Sequence, residues 1–428
     1  MSSPVTAPAA RVGYVRWTVC ALLFFASTVN YIDRQVLGIL QIHPEVKALM
    51  GGADAESNYG NVVLVFQLAY AISLLVAGRV MDKIGTRIGY ALSVTLWSLC
   101  SMSHSLAKNA THFAMARFGL GLGEAGTFPA SIKTVAEWFP KKERALAIGL
   151  FNSGTNIGAL VAPMAVPFIA FNFGWRWAFL LTGITDFVWL ALWLKFYRRP
   201  EEHKRLSKAE FDYIRSDPQE PSVHVPWKKL FPFKQTWAFA VGKFLTDPIW
   251  WFFLFWLPKF LETHGLSLRT VGLPLVTIYL AADIGSIGGG WLSSTLIKRG
   301  WSVNRARKTA MLICACCVLP VFLASRTTNL WFAIALISLA MAAHQGWSAN
   351  LFATVGDMFP NHAVGSVTGI GGMAGAVGGM LIAWGAGQIL SHWHTYVPLF
   401  IIASAAYVTA WLFVNLLAPR LQPAQLTD

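Results

Sequence analysis

The sequence predicts an all-α membrane protein of twelve transmembrane helices, arranged as two six-helix halves in a pseudo-twofold repeat. Three observations lead there. First, 55% of the 428 residues are hydrophobic and only 13% are charged, with a mean hydropathy of +0.51, whereas soluble domains carry about 25% charged residues. Second, apolar runs of the ~20 residues needed to cross a bilayer recur along the whole chain. They are continuous, unlike the ~10-residue alternation of a β-barrel strand. Third, the second half echoes the first at a fixed offset.

The runs fall in order at 15–40, 59–79, 87–107, 111–137, 144–169, 174–196, 237–262, 270–295, 304–325, 329–352, 363–388 and 393–418. Between the sixth and seventh lies the longest polar stretch, 197–236, with Arg198, Arg199, Lys204, Arg205 and Lys208 and prolines at 218, 221 and 226. The expected organisation is a tail (1–14), a first half (15–196), a linker (197–236), a second half (237–418) and a tail (419–428). The echo joins Glu137-Trp138-Phe139-Pro140 to Asp357-Met358-Phe359-Pro360, and Gly149 and Gly158 to Gly369 and Gly378, each pair 220 residues apart. A weaker one joins Gly78–Asp82 to Gly290–Ser294. Parallel repeats of this kind place a binding site at their interface near mid-membrane.

A net charge of +14 would suit nucleic acid, but its placement argues otherwise. Most Lys and Arg crowd into the tails, the linker and alternate loops, the asymmetry of the positive-inside rule, which puts both termini in the cytoplasm. The first apolar run is too long for the core of a cleavable signal peptide and leads straight into further spans. The five cysteines lie in apolar runs without metal or redox spacing and read as packing residues.

Four charges lie deep within the first and fourth spans, away from their ends: Asp33, Arg34, Arg117 and Glu124. A mid-bilayer charge costs roughly 2.5–3.5 kcal/mol on insertion scales and marks an ion, substrate or proton path. Arg34 offers a planar fork that fits a carboxylate bidentately, and Tyr31, three residues earlier, shares its face. Arg34 is the expected anion anchor. Arg117 and Glu124 stand two turns apart on one face, with Gly119, Gly121 and Gly123 between them to let helices approach closely. Burial disfavours the charged Glu124 carboxylate while a nearby arginine favours it, a balance that lets protonation follow substrate. Static ion pairs between helices are the competing reading.

The same segment spells Gly121-x-Gly123-x-x-Gly126, formally a dinucleotide fingerprint, but without the preceding strand that motif requires. Candidate ligand-binding side chains at matching depth are Gln67 and Tyr70 in the second span, Asn152, Thr155 and Asn156 in the fifth, and Gln345, Trp347 and Asn350 in the tenth. Trp347 offers a flat aromatic face at the same depth. Lys243 and Asp247, four apart, read as a structural pair. No cofactor, metal cluster or nucleophile–base pair is evident, so an enzyme is not expected.

Several of these residues carry a family resemblance. The loop Gly78-Arg-Val-Met-Asp82-Lys-Ile-Gly85-Thr-Arg87 resembles the signature loop of the major facilitator superfamily. Asn30-Tyr31-Ile32-Asp33-Arg34, the stretch from Arg117 to Pro129, Glu137–Pro140 and Ala343-His344-Gln345 resemble its anion:cation symporter family, and within it the bacterial hexuronate and galactonate transporters. The resemblance implies a monomer in the bilayer that imports a sugar-acid anion with protons by alternating access. It implies proton coupling at Glu124 and Asp33, with Asp33 a partner for Arg117, and substrate contacts from Tyr31, Arg34, Tyr70, Arg117, Glu124, Asn152, Thr155, Gln345, Trp347 and Asn350. Gly78, Asp82 and Arg87 would form a conformational gate. That gate would be asymmetric, because Ser294 stands where Asp82 would repeat. A hexuronate is the expected substrate. The Asp33-Arg34 pair looks more like aldonate (galactonate-type) members, and other organic anions, efflux or sensing are the remaining alternatives.

Overall fold

A computed structural model describes residues 13–216 and 227–424, and all regular structure among them is helical. The first half contains α1 (Val15–Leu40), the short α2 (Pro44–Leu49), α3 (Ala55–Ile84), α4 (Thr86–Ser103), α5 (Ala110–Glu124), α6 (Thr127–Trp138), α7 (Lys141–Phe173) and α8 (Trp175–Phe196). Two short helices, α9 (Lys208–Ile214) and α10 (Trp227–Leu230), lie in the linker. The second half contains α11 (Lys234–Glu262), α12 (Gly272–Lys298), α13 (Val303–Val318), α14 (Leu330–Met358), α15 (Asn361–Trp393) and α16 (Val397–Leu417).

Nine helices among the described residues are long and apolar enough to cross a membrane. The other three expected spans, 59–79, 87–107 and 111–137, fall on α3, α4 and the α5–α6 pair. The fourth span is therefore two helices where one was expected. The ladder breaks at Ala125 and Gly126, directly after Glu124, where the Gly126 N–H turns back to the Gly123 carbonyl at 3.2 Å. Both glycines are tightly packed: a methyl on Gly123 would stand 2.6 Å from the Trp97 backbone nitrogen, and one on Gly126 would strike the Ser93 side chain. Elsewhere helix ends follow local chemistry. Asn109, Ser302 and Asn329 cap α5, α13 and α14 through their side chains. Gly85 turns α3 into α4 at φ +83°, which favours glycine.

The internal repeat is visible in the backbone. Pro140 and Pro360 both precede a long helix at φ −64°, ψ 153°. The acids of the two motifs tie their own halves together. Glu137 accepts from Thr86 (2.7 Å) and from Tyr197, and Asp357 accepts from the Arg307 Nε (3.2 Å). Of the linker, α9 docks on the first half: buried Glu210 accepts the Arg16 backbone N–H and guanidinium, both at 3.1 Å.

α1 runs from the face carrying the linker to the far face. At the far face the two halves close. The Phe255 carbonyl of α11 accepts from Gln41 (2.7 Å) and Tyr59 (3.1 Å), the Lys259 ammonium meets Glu56 at 3.2 Å, and Gln388 donates to Ser57 at 3.0 Å. Close backbone approach accompanies these bonds: a methyl on Gly60 would stand 3.0 Å from the Gly387 Cα. The structure is thus closed at the far face.

Candidate functional site

Between the halves lies a cavity of about 410 Å³. α1 contributes Ser27, Asn30, Tyr31 and Arg34, the i, i+3, i+4, i+7 stripe of one helix face. Tyr70, Glu124, Thr127 and Phe128 come from α3, α5 and α6, while Asn152, Thr155 and Asn156 line it from α7. The second half supplies Lys243, Asp247, Trp250 and Trp251 from α11, and His344, Gln345 and Ser348 from α14.

Arg34 and Glu124 dominate the polar wall. The Glu124 Oε2 accepts from the Arg34 Nη2 at 2.6 Å and Nε at 2.9 Å, with both side chains almost fully buried. The guanidinium carbon lies 5.0–5.6 Å from the ring centroids of Tyr70, Tyr31, Phe66 and Trp251. Aromatic faces attract a cation and leave a planar fork few ways to turn. The second Glu124 oxygen, Oε1, has no donor among the described residues. The site thus presents a fixed guanidinium whose partner is an internal carboxylate bound through one oxygen.

Across the cavity stands a second ion pair, Lys243 Nζ to Asp247 Oδ2 at 2.7 Å. Their i, i+4 spacing does make a structural pair, as the sequence suggested, but both side chains also line the cavity. The His344 ring stacks on Trp250 at 5.2 Å and its Nδ1 bonds the Tyr407 hydroxyl. These second-half groups were legible in the sequence only as spacing, because nothing local says which way α11 faces.

Tyr31, Arg34, Tyr70, Glu124, Asn152, Thr155 and Gln345 all face the cavity. The Thr155 hydroxyl already donates to the Asn152 carbonyl at 2.7 Å. Arg117, Asp33, Trp347 and Asn350 do not line it. Both Arg117 terminal nitrogens donate to the Arg34 carbonyl at 3.2 Å, so Arg117 holds the backbone of α1 from behind. Asp33 is not ion-paired with Arg117; its Oδ1 accepts from Ser101 at 2.9 Å. Trp347 is buried with its ring edge-on to Tyr407 at 5.7 Å. Asn350 donates to the Gly289 and Gly346 carbonyls at 2.9 Å, fastening α14 to α12. The reason is rotation: Trp347 stands ~200° round the helix from Gln345, so correct depth put it on the wrong side.

Of the expected gate, Arg87 donates to the Leu194 carbonyl at 2.8 Å within its own half, at the linker face. Gly78 lies within α3, and the Asp82 side chain lies outside what is described.

Comparison with known proteins fits this architecture. A family model described as the Major Facilitator Superfamily matches residues 23–383. The chain is 32% identical to the "Hexuronate transporter" of Escherichia coli K12 over 379 residues, 86% of each chain. It is 32% identical to the "Galacturonate transporter" of Dickeya chrysanthemi, covering 68% of this chain and 84% of that one. It is 28% identical to the "D-galactonate transporter" of Escherichia coli O6:H1, over 97% and 98%. Among solved structures, the xylose transporter XylE from E. coli in its inward open conformation superposes with a TM-score of 0.73 at 14% identity, covering 94% of this chain and 96% of that one. A bacterial homolog of the human lysosomal transporter Spinster, inward-facing and unoccupied, gives 0.71 at 17%, covering 95% and 96%. With repeated halves, a cavity between them and a family match over most of its length, the chain is a multi-pass membrane protein that belongs to the major facilitator superfamily.

Proposed function

We propose that the protein is a proton-coupled symporter that imports a sugar-acid anion, a hexuronate such as glucuronate or galacturonate, across the cytoplasmic (inner) membrane by alternating access. It works as a monomer with both termini in the cytoplasm, so the closed far face is the outer one. The observation that carries this reading is the Arg34–Glu124 pair on the cavity wall. A substrate carboxylate needs the fork that Glu124 occupies. Protonating Glu124 removes its charge and loosens that bond, so substrate and proton enter together. Asp33 is a second proton site. Gln345 across the cavity, with Asn152 and Thr155 beside it, supplies partners for the sugar hydroxyls.

The names of the relatives that match most of the chain support a sugar acid. An aldonate is the second reading, favoured by the Asp33-Arg34 sequence and by the galactonate transporter's match along 97% of the chain. Asp82 and Arg87, at the linker end of the first half, act in switching between states. Uptake of labelled glucuronate and galactonate into proteoliposomes, with and without an inward proton gradient, tests the reading. Gradient-driven accumulation of one acid is expected, and transport of neither would overturn it.

A further inference from the structure

Away from the cavity, on the α4 and α8 side of α1, two carboxyl groups meet out of reach of solvent. Asp33 is 2% exposed and Asp186 on α8 is 0% exposed. Their side chains are hydrogen-bond neighbours. Ser101 donates to the Asp33 Oδ1. The Asp33 Oδ2 and both Asp186 oxygens have no N–H or O–H donor among the described residues. The nearby Thr182 hydroxyl donates to the Phe179 carbonyl at 3.2 Å, and the Trp97 indole N–H lies on the Asp186 side.

Two carboxylates cannot bond to one another without a proton, and like charges in contact disfavour a doubly ionised pair. The surrounding groups supply one positive charge, enough for one ionised carboxylate and not for two. Arg117 on α5 stays cationic while its terminal nitrogens donate to the neutral Arg34 carbonyl, and the charge of Arg34 is already met by Glu124. His104, at the end of α4, points its Nδ1 at the Cys100 and Ser101 carbonyls and stacks on Phe179 at 4.9 Å.

We propose that Asp33 and Asp186 form a one-proton carboxyl pair, with the Asp186 hydroxyl donating to the Asp33 Oδ2, and that this pair is a proton site separate from Glu124. The pair belongs wholly to the first half. It sits beside Arg34 in sequence and behind it in space, so removing its proton would place two negative charges against the helix that carries the anion anchor. Its protonation stands by itself, while its part in driving uptake rests on the symport reading.

The test is infrared spectroscopy of the full-length protein in lipid nanodiscs, in H₂O and D₂O. A protonated-carboxyl C=O band that shifts in D₂O is expected in the wild type and in Glu124→Gln, and is lost in Asp186→Asn, whose amide keeps a donor to Asp33. Should Asp186→Asn fail to fold, Asp33→Asn must lose or shift the same band. A wild type without the band, or a band unchanged in these aspartate variants, overturns the pair. In proteoliposomes Asp186→Asn should lose gradient-driven accumulation of sugar acid but keep exchange, and full accumulation would overturn the coupling role. If the wild type moves neither acid, the symport reading fails while the infrared result still decides the pair.

Discussion

Glu124 holds Arg34 through a single carboxylate oxygen, at 2.6 and 2.9 Å, on the wall of the cavity between the halves. A buried guanidinium with only an internal partner is ready to exchange that partner for a ligand carboxylate. Breaking a buried pair without replacing the lost partner costs roughly 3–5 kcal/mol, so the exchange requires both a substrate anion and a neutralised Glu124.

Replacing the fork by a point charge should show this dependence. Arg34→Lys keeps the charge but loses bidentate geometry. A charge-assisted hydrogen bond contributes about 1.5–3 kcal/mol, so sugar-acid affinity should fall roughly 10- to 100-fold, measured by calorimetry on purified protein. Unchanged affinity would place the anion elsewhere.

The tenth span allows a paired comparison. Gln345→Ala should weaken substrate binding by about 1 kcal/mol, the worth of an ordinary hydrogen bond, with little change in melting temperature. Trp347→Ala should do the opposite. It removes a fully buried side chain, which typically costs 3–5 kcal/mol of stability, while the cavity wall stays intact. If Trp347→Phe, which retains most of the packing, lost binding, the rotational placement of Trp347 would be wrong.

The second half's ion pair makes a further claim. Lys243→Gln would strand Asp247 beside the cavity, whereas Lys243→Gln with Asp247→Asn removes both charges. If the pair meets the substrate, the double variant should fold like wild type and bind sugar acid at least about tenfold more weakly, a loss of ~1.4 kcal/mol. Wild-type affinity in the double variant would make the pair purely structural.

The far-face seal sets the conformational balance. Gln41→Ala removes the amide that donates to the Phe255 carbonyl at 2.7 Å. A loss of about 1 kcal/mol shifts a two-state ratio roughly fivefold toward opening at that face. Labelling of a cysteine placed at Ser57, on the closed face, should accelerate accordingly. An unchanged rate would show that the Gln41 bond does not set the closure, leaving it to the Tyr59, Lys259 and Gln388 contacts and the backbone approach at Gly60 and Gly387.

Much of this was legible in the chain. Charged residues inside apolar runs stand out by their cost, so Arg34 and Glu124 were found from sequence, and the repeat pointed to the interface where they meet. Rotation about a helix was harder to read. Trp347 and Asn350 lie at the right depth but turn toward Tyr407 and Gly289, and Arg117 turns to the back of α1. From sequence Asp186 reads only as one of several charges near span ends with a structural role, because its neighbour Asp33 lies 153 residues away. The break after Glu124 was missed because its glycines read as packing positions, which they also are.

The sign of the pH effect follows from the exchange at Arg34. If the substrate carboxylate takes the guanidinium only when Glu124 carries a proton, binding takes up protons and affinity rises as pH falls through the range in which Glu124 titrates. The direct measurement is proton uptake on adding glucuronate, or galactonate if that is the ligand, to weakly buffered purified protein, for wild type and Glu124→Gln. The expected result is proton uptake by the wild type, less uptake by Glu124→Gln, and a weaker pH dependence of affinity in the variant. Equal proton uptake and equal pH dependence in the two proteins would contradict the exchange at Arg34.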